Sequence, residues 1–410
     1  MEEALERAIL VSLDLGYWDV ESALAELEEL ARTAGAEVVG TLVQKRENPD
    51  RATCIGSGKL EELKLLAETL EAELIIFDTE LTPSQLRNLE KVVDTRVIDR
   101  TMLILDIFAG RANSAEGKLQ VELAQLRYSL PRLTGKGTEL SRLGGGIGTR
   151  GPGESKLESD KRHIHRRISA LANELQELTA RRGRLRARRR KEGVTTVAIV
   201  GYTNAGKSTL LNRLTGAGVL AEDKLFATLD PTSRALTLGD GQKVLLIDTV
   251  GLIRRLPHHL IEAFRSTLEE AASASLIVHL CDASSPELDE HIRVTNDLLD
   301  SLGAGLTPRL CVLNKADIAT LQWDLPLPAD TVHISALTGD GLDELLQAIS
   351  DKLPPTRRLA RLLLPYADGS IAAALRRDGI VQTEKYTEDG LYLEVVADSA
   401  LLEIARAYEI

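Results

Sequence analysis

Residues 201–208 read Gly-Tyr-Thr-Asn-Ala-Gly-Lys-Ser, a glycine-rich octapeptide that leaves this chain few possible folds. It matches the pattern G-x-x-x-x-G-K-[ST] at every fixed position. A short apolar run, residues 197–200, precedes it, and a helix-like segment, residues 209–214, follows it. In this order, backbone N–H groups and a helix N-terminus close around a polyphosphate. We therefore expect an α/β fold with a P-loop rather than a chance glycine turn.

Four residues of this region have predicted roles at the phosphates. Lys207 is expected to reach the β- and γ-phosphates, and Ser208 to place its hydroxyl on Mg²⁺. A second apolar run, residues 244–247, ends in Asp-Thr-Val-Gly. Asp248 at its end is expected to hold Mg²⁺, directly or through water, and the N–H of Gly251 to meet the γ-phosphate.

Two further motifs predict which base is bound. Asn-Lys-Ala-Asp at residues 314–317 follows the apolar run 310–313. The Asp317 carboxylate can accept two hydrogen bonds from guanine, and adenine lacks that pair of donors. Ser-Ala-Leu at residues 335–337 follows another strand-like run, where a second base-contacting loop belongs. Asp317 alone could be a helix cap, but four motifs in order, each after a strand, favour a guanine nucleotide site.

This set of motifs resembles the translation-factor-like class of GTPases. By that resemblance Thr228 is the switch threonine that closes on Mg²⁺ and the γ-phosphate, with Thr232 as its rival. The expected catalytic residues are Lys207, Thr228 and Gly251, and the expected metal ligands are Ser208 and Thr228, with Asp248 acting through water. The expected GTP contacts are Gly201, Tyr202, Thr203, Asn204, Ala205, Gly206, Lys207, Ser208, Thr209, Phe226, Ala227, Thr228, Leu229, Asp230, Asp248, Thr249, Val250, Gly251, Asn314, Lys315, Ala316, Asp317, Ser335, Ala336 and Leu337.

The residue after Asp-Thr-Val-Gly departs from Ras-like enzymes. Leu252 stands where Ras-type proteins carry a glutamine that orients the attacking water. Leucine cannot hydrogen-bond water, so we expect slow intrinsic hydrolysis that a partner accelerates. Arg254 and Arg255 lie close by, either as surface charges or as an arginine finger supplied by the chain itself.

Composition narrows the class of protein. The length of 410 residues suits two to four domains. The start of the chain lacks the pattern of a signal peptide, and no apolar run approaches the length of a membrane span. The three cysteines, Cys54, Cys281 and Cys311, are scattered, which argues for a reducing cytosol and against a structural zinc. We expect a cytoplasmic protein that acts as a monomer.

Charge is distributed unevenly. The net charge is −12, yet residues 150–191 hold fourteen basic and five acidic side chains. A basic arm on an acidic body suits a phosphate-rich partner.

Leucine and isoleucine seams at residues 119–133 and 164–185 have coiled-coil spacing and predict an antiparallel two-helix arm. The glycine-rich basic loop 134–156 joins them, and its candidates for RNA contact are Arg142, Gly144, Gly145, Gly146, Gly148, Arg150 and Lys156.

Four domains are expected along the chain. Residues 1–112 alternate strand and helix signals and predict a small parallel α/β domain. Residues 113–193 form the arm, residues 194–352 the nucleotide domain, and residues 357–410 a small α+β domain. Gly-Ser-Gly-Lys at residues 56–59 lacks P-loop spacing, so a turn into a helix is preferred there over a second nucleotide site.

The whole chain resembles the HflX family of ribosome-associated GTPases. The resemblance rests on residues 53–59, 99–101, 104–111, 122–126 and 142–154, together with the nucleotide motifs. It implies a Mg²⁺-dependent GTPase that binds rRNA of the 50S subunit, reaches towards the peptidyl-transferase region and splits stalled or idle 70S ribosomes, notably under heat stress. It implies no dedicated DNA binding. Two alternatives stay open: a GTPase that assembles the large subunit, and a non-ribosomal switch that binds a protein through its coiled coil.

Overall fold

The computed structural model describes residues 5–133, 152–191, 194–216, 225–226, 229–230, 232–257, 260, 270–320, 327–354 and 357–410. Contacts divide the chain into two units, each of which is built from three segments. The first holds Met1–Thr179, Leu220–Asp230 and Val250–Leu268, and the second holds Ala180–Val219, Pro231–Thr249 and Glu269–Ile410.

The first unit begins with alternating strands and helices. Its elements are β1 Glu6–Asp14, α1 Val20–Thr33, β2 Ala36–Lys45, α2 Ser57–Thr69, β3 Leu74–Phe77, α3 Pro83–Val93, β4 Arg96–Asp99, α4 Arg100–Arg111 and α5 Ala115–Ser129. The strands form a parallel sheet in the order β2-β1-β3-β4. This confirms the small parallel α/β fold predicted from the apolar runs.

The core of this sheet consists of apolar side chains on both of its faces. Ile9 and Ile75 on one face and Leu10 and Ile76 on the other are all fully buried. Strands buried on both faces read as continuous apolar runs, which is why the sequence predicts them so closely. The apolar patterns do not predict α4, which follows β4 directly and begins where Asp99 accepts a hydrogen bond from the Met102 amide.

The predicted arm corresponds to α5 and a long helix, α6, at Pro152–Lys191. The first seam does not stay α-helical to its end, since Leu130–Leu133 form a 3-10 turn. Pro131 has no N–H to continue the α-helical ladder. A bidentate ion pair between Arg167 on α6 and Glu122 on α5, at 2.7 and 2.8 Å, joins the two helices. The coiled coil itself stays a prediction.

The second unit contains the P-loop sheet. Its elements are β5 Thr195–Val200, α7 Lys207–Thr215, β6 Thr232–Thr237, β7 Lys243–Asp248, β8 Leu276–Asp282, α8 Leu288–Ser301, β9 Arg309–Asn314, β10 Val332–His333 and α9 Leu342–Lys352. The strand order is β10-β9-β8-β5-β7-β6, parallel except for β6 against β7. All the motif loops follow the carboxyl ends of β5, β7, β9 and β10, where α/β sheets bind their ligands.

A smaller sheet closes the chain. Strands β11 Arg357–Leu364, β12 Ile380–Thr387 and β13 Gly390–Asp398 are antiparallel in the order β11-β13-β12, with helices α10 Gly369–Asp378 and α11 Ser399–Ile404. Leu362, Leu375, Leu393 and Val395 form its core. Among the residues that the structure describes, no helix is long and apolar enough to cross a membrane.

Candidate functional site

The P-loop runs from the end of β5 into the first turn of α7. Gly206 is the N-cap of α7 and has φ +92, a backbone conformation that residues with a side chain rarely adopt. A Cβ at this position would also lie 2.3 Å from Nδ2 of Asn314, so the loop needs glycine here for two reasons. The backbone N–H groups that follow open at the positive end of the helix dipole.

Lys207 is held inside the loop. Its ammonium donates to the carbonyl oxygens of Tyr202 at 2.7 Å and Gly201 at 3.2 Å, and its side chain is buried. Burial lowers the pKa of Lys207 to about 8, against an opposing contribution from Asp248. A charged amine with so little hydration is suited to pairing with phosphate oxygens.

Ser208 and Asp248 lie together, as the motifs predict. The hydroxyl of Ser208 donates to Asp248 Oδ2 over 2.9 Å, and Asp248 is fully buried at the end of β7. A hydroxyl and a carboxylate supply the hard oxygen atoms that Mg²⁺ prefers. The chemistry of these two side chains therefore fits a magnesium ion.

Asn314 joins the predicted base loop to the P-loop. Its Nδ2 donates to the Ala205 carbonyl oxygen at 2.7 Å, and its Oδ1 accepts from the Ala336 amide at 2.9 Å. One buried side chain thus fixes three of the predicted motifs relative to one another. Leu337, beside Ala336, leaves 73% of its side chain exposed, which suits a contact with a flat base.

The neighbouring Lys315 has a partner that the sequence motifs do not predict. Lys315 adopts φ +63, and its ammonium lies 2.7 Å from Oδ2 of Asp282. Asp282 ends β8 and is paired in register with Asn314. The sequence contains a signal for Asp282, because this acid follows an apolar run in the same way as Asp248 does. Asp317 is exposed, as a carboxylate that reads a base requires.

Tyr202 is a second residue with a contact that its motif does not predict. Its ring stacks on the imidazole of His291 in α8, with centroids 3.7 Å apart and planes 13° apart. Position 202 is variable in the P-loop pattern, so nothing in the spacing indicates an aromatic contact. The stack holds the start of the loop against α8.

The predicted switch threonine lies outside the described residues, as does Ala227. On either side of it, Phe226 and Asp230 are described, and both belong to the first unit. Phe226 packs edge-on against Phe108 with centroids 4.8 Å apart. The Asp230 carboxylate binds the residues that precede α5. Thr232, the rival, begins β6 and is paired with Asp248.

The segment after Gly251 is packed into the first unit. Leu252 and Ile253 are 1% exposed. Arg254 donates to Ser22 Oγ at 2.9 Å and lies 3.5 Å from Glu26, and Arg255 donates to Asp78 at 2.7 Å. Both arginines thus have acidic partners in the N-terminal part of the chain. These contacts favour neither of the two hypotheses from the sequence, an exposed surface charge or an arginine finger.

The candidates for RNA contact are not placed. Arg142, Gly144, Gly145, Gly146, Gly148 and Arg150 lie outside the described residues. Lys156 belongs to α6, because this helix begins at Pro152, inside the predicted loop 134–156. Proline is favoured at a first helical position, where its missing N–H costs nothing.

Comparison with known families matches most of the chain. Residues 21–109 match a family described as the GTP-binding GTPase N-terminal region, and residues 111–189 match its middle region. Residues 196–315 match a family described as 50S ribosome-binding GTPase. This last match ends one residue after Asn314 and contains the P-loop, Asp248 and Gly251.

Individual relatives match over almost their whole length. The GTPase HflX of Caldanaerobacter subterraneus is 51% identical, covering 98% of this chain and 94% of its own. The GTPase HflX of Escherichia coli K12 is 41% identical, covering 95% and 92%. A solved GTP-binding protein of Sulfolobus solfataricus in complex with GDP is 26% identical, covers 85% and 98%, and gives a TM-score of 0.45. The two GTPase HflX relatives, at 51% and 41% identity over 98% and 95% of this chain, show that the chain belongs to the HflX family of GTPases.

Proposed function

We propose that this protein binds the large ribosomal subunit and dissociates stalled or idle 70S ribosomes, with GTP hydrolysis resetting it for another round. It acts in the cytoplasm as a monomer, partly bound to ribosomes. The observation that carries this proposal is the match of residues 196–315 to a 50S ribosome-binding GTPase, over a segment whose P-loop and base loop are joined by Asn314.

The nucleotide is bound by this chain's own groups. Lys207 and the P-loop amides hold the phosphates, Gly251 meets the γ-phosphate, and Asp317 selects guanine. Ser208 and Thr228 would hold Mg²⁺, with Asp248 acting through water, and the ion would neutralise charge on the phosphate oxygens. The bond between Ser208 and Asp248 supports this assignment.

Intrinsic hydrolysis is slow in this proposal, because the residue after Gly251 cannot orient water. Leu252 is apolar and 1% exposed. Partners that complete such sites accelerate hydrolysis about 10³–10⁵-fold. Single-turnover hydrolysis should therefore rise steeply with added 50S or 70S particles and stay unchanged with 30S. Equal rates with and without 50S would contradict ribosomal stimulation.

The basic loop before α6 is the proposed rRNA contact. Replacing residues 143–151 by a Gly/Ser linker stops short of α6 and leaves the nucleotide motifs intact. GTP affinity should not change, whereas binding to 50S should weaken. The salt dependence of binding should also flatten, by at most about one unit of slope for each lost phosphate contact. Unchanged 50S binding would show that this loop is only a linker.

Two alternatives make different predictions. A factor that assembles the large subunit should bind immature 50S particles and leave mature 70S intact. A non-ribosomal switch should show no salt-sensitive affinity for rRNA. The fourteen basic residues in the range 150–191 favour a phosphate-rich partner over the second alternative.

A further inference from the structure

Asp282, at the end of β8, uses its two carboxylate oxygens for two different contacts. Oδ1 accepts hydrogen bonds from the Ser284 amide at 2.9 Å and from the Ser284 hydroxyl at 2.6 Å. Oδ2 lies 2.7 Å from the ammonium of Lys315. Because Ser284 fixes the carboxylate through its first oxygen, the second oxygen is a preorganised acceptor for Lys315. Charge-assisted contacts of this length are roughly twice as strong as neutral hydrogen bonds.

This ion pair is largely withdrawn from water. The side chain of Asp282 is 18% exposed and that of Lys315 is 27% exposed. Salt screens such a pair less than it screens a pair on the open surface. Removing the charge of one partner would leave the other partly desolvated without its compensation, so the contact should have a measurable effect.

The backbone of Lys315 has an unfavourable conformation. Its φ is +63, in the left-handed region that residues other than glycine adopt uncommonly. Such a conformation persists only where its surroundings hold it in place. On one side the Asn314 carbonyl oxygen accepts from the Ala283 amide at 2.9 Å, and on the other the Ala316 amide donates to the Ile334 carbonyl oxygen at 3.0 Å. Asp282 adds a hold on the side chain itself.

Lys315 is also the first residue of the turn that carries Asp317. Its carbonyl oxygen accepts hydrogen bonds from the amides of Ile318 and Ala319, both at 3.1 Å. Asp317 lies inside this turn and is exposed. A hydrogen bond keeps its strength only over a narrow range of distances, about 2.7–3.2 Å between heavy atoms. A small displacement of the turn would therefore spoil the two bonds that Asp317 offers to guanine.

We propose that Asp282 is a positioning residue for guanine recognition: through Lys315 it holds the turn 315–319 where the Asp317 carboxylate can meet the base. This inference rests on the proposed function, in which Asp317 selects guanine. Asp282, Lys315 and Asp317 all belong to the second unit, as does the P-loop. Since GTP and GDP carry the same base, loss of the Asp282 charge weakens the binding of both to the same extent.

The test uses Asp282→Asn, which keeps the shape of the side chain. Its oxygen can still accept from Ser284, whereas its amide presents N–H donors to the Lys315 ammonium. Displacement of fluorescent GDP from the full chain measures the affinities for GTP, GDP and inosine triphosphate. The base of inosine triphosphate lacks the exocyclic amine that donates to Asp317. The parent should therefore bind inosine triphosphate about tenfold more weakly than GTP.

Asp282→Asn should weaken the binding of GTP and GDP about tenfold, the effect of one hydrogen bond to a charged group. Binding of inosine triphosphate should weaken less than about threefold, because this nucleotide has less to lose at Asp317. The preference for GTP over inosine triphosphate should thus fall below about threefold. General loosening of the P-loop would instead weaken both nucleotides equally. Asp297→Asn, at an exposed acid on α8, is the matched control and should change no affinity.

Lys315→Met tests the route by which Asp282 acts. Methionine keeps an apolar stem but has no ammonium for Asp282 to hold. Lys315→Met should narrow the preference for GTP over inosine triphosphate as Asp282→Asn does. In the Lys315→Met background, Asp282→Asn should have no further effect on that preference, because the two substitutions remove the same contact.

The outcomes separate this inference from the proposed function. If the parent prefers GTP but Asp282→Asn keeps that preference, or adds its effect to that of Lys315→Met, Asp282 is not a positioning residue for the base. If Asp282→Asn melts far below the parent, Lys315→Met decides, and an unchanged preference in that variant overturns the inference. If the parent binds GTP no better than inosine triphosphate, the proposed guanine site fails and the inference fails with it.

Discussion

The side-chain amide of Asn314 donates a hydrogen bond to the carbonyl oxygen of Ala205 over 2.7 Å, across 109 residues of sequence. Because the same side chain accepts from the Ala336 amide, it holds the P-loop and both base loops in one arrangement. Asn314→Asp keeps the acceptor and replaces the donor by a charged oxygen that faces the Ala205 carbonyl. Since both groups are buried, we expect the substitution to make the free energy of nucleotide binding less favourable by about 1–3 kcal/mol.

That cost predicts about 10- to 100-fold weaker binding of GTP and GDP alike, measured by equilibrium titration with fluorescent nucleotides. Asn173→Asp, on an exposed part of α6, is the matched control and should bind both nucleotides as the parent does. Parental affinity in Asn314→Asp would show that the loops are held together by other contacts.

Asp317→Asn should weaken GTP binding and shift the base preference towards xanthine. The amide presents a donor where guanine also presents one, whereas xanthine offers a carbonyl oxygen at that position. Competition between GTP and XTP for the variant should therefore shift towards XTP. A variant that binds GTP as tightly as the parent would show that the base is read elsewhere.

The pKa of Lys207 predicts how GTP binding depends on pH. Burial lowers this pKa to about 8 in the free protein, and a bound polyphosphate raises it. Binding therefore takes up a proton above pH 8, so GTP affinity should fall as pH rises through 8 towards 9.5, by up to about tenfold per unit. Guanosine has the same base without phosphates and should not show the part of this slope that comes from Lys207. Identical slopes for both ligands would contradict the prediction.

Arg100 should be essential to the stability of the first unit. It is 3% exposed and bonds to Glu26, to Asp78 at 3.2 Å and to the Arg254 carbonyl oxygen at 3.2 Å. Arg100→Ala leaves buried carboxylates with fewer partners, which costs about 3–5 kcal/mol. Arg32→Ala removes an exposed pair with Glu28 and should cost less than about 1 kcal/mol. Denaturant unfolding of both variants checks this, and equal losses would contradict it.

His279 predicts acid sensitivity of the second unit. It is buried in β8, and burial, with a smaller contribution from Arg309, lowers its pKa to about 4. The unfolded chain therefore binds a proton that the folded chain does not, so stability falls as pH drops from about 6.5 towards 4. The loss reaches about 3 kcal/mol. His279→Gln should flatten this part of the stability curve, and an unchanged pH dependence would exclude His279 as its cause.

Local patterns predict the strands and the nucleotide motifs well, because each depends on residues close in sequence. The apolar run 74–77 forms β3, and the apolar run 244–247 lies in β7, which ends at Asp248. The same pattern, an acid at the end of an apolar strand, also points to Asp282. The contact of Asn314 with Ala205, across 109 residues, is not predicted by these patterns.

Contacts across long stretches of chain are not visible in the sequence. Arg254 meets Ser22 across 232 residues, and Asp230 meets Ser114 across 116. Nothing local distinguishes Asp230 from a nucleotide contact, so its partner emerges only from the fold. The 3-10 turn at Leu130–Leu133 is a different case, since the leucine spacing continues while Pro131 ends the α-helix.

Light scattering of mature 70S ribosomes mixed with this protein and a non-hydrolysable GTP analogue tests the proposed function most directly. Scattering should fall as subunits separate, and sedimentation of the same mixture should show 30S and 50S peaks. Lys207→Ala, which cannot hold the phosphates, should leave the signal at its starting level. Ribosomes that stay intact with the GTP-loaded parent protein would contradict ribosome dissociation as the function of this chain.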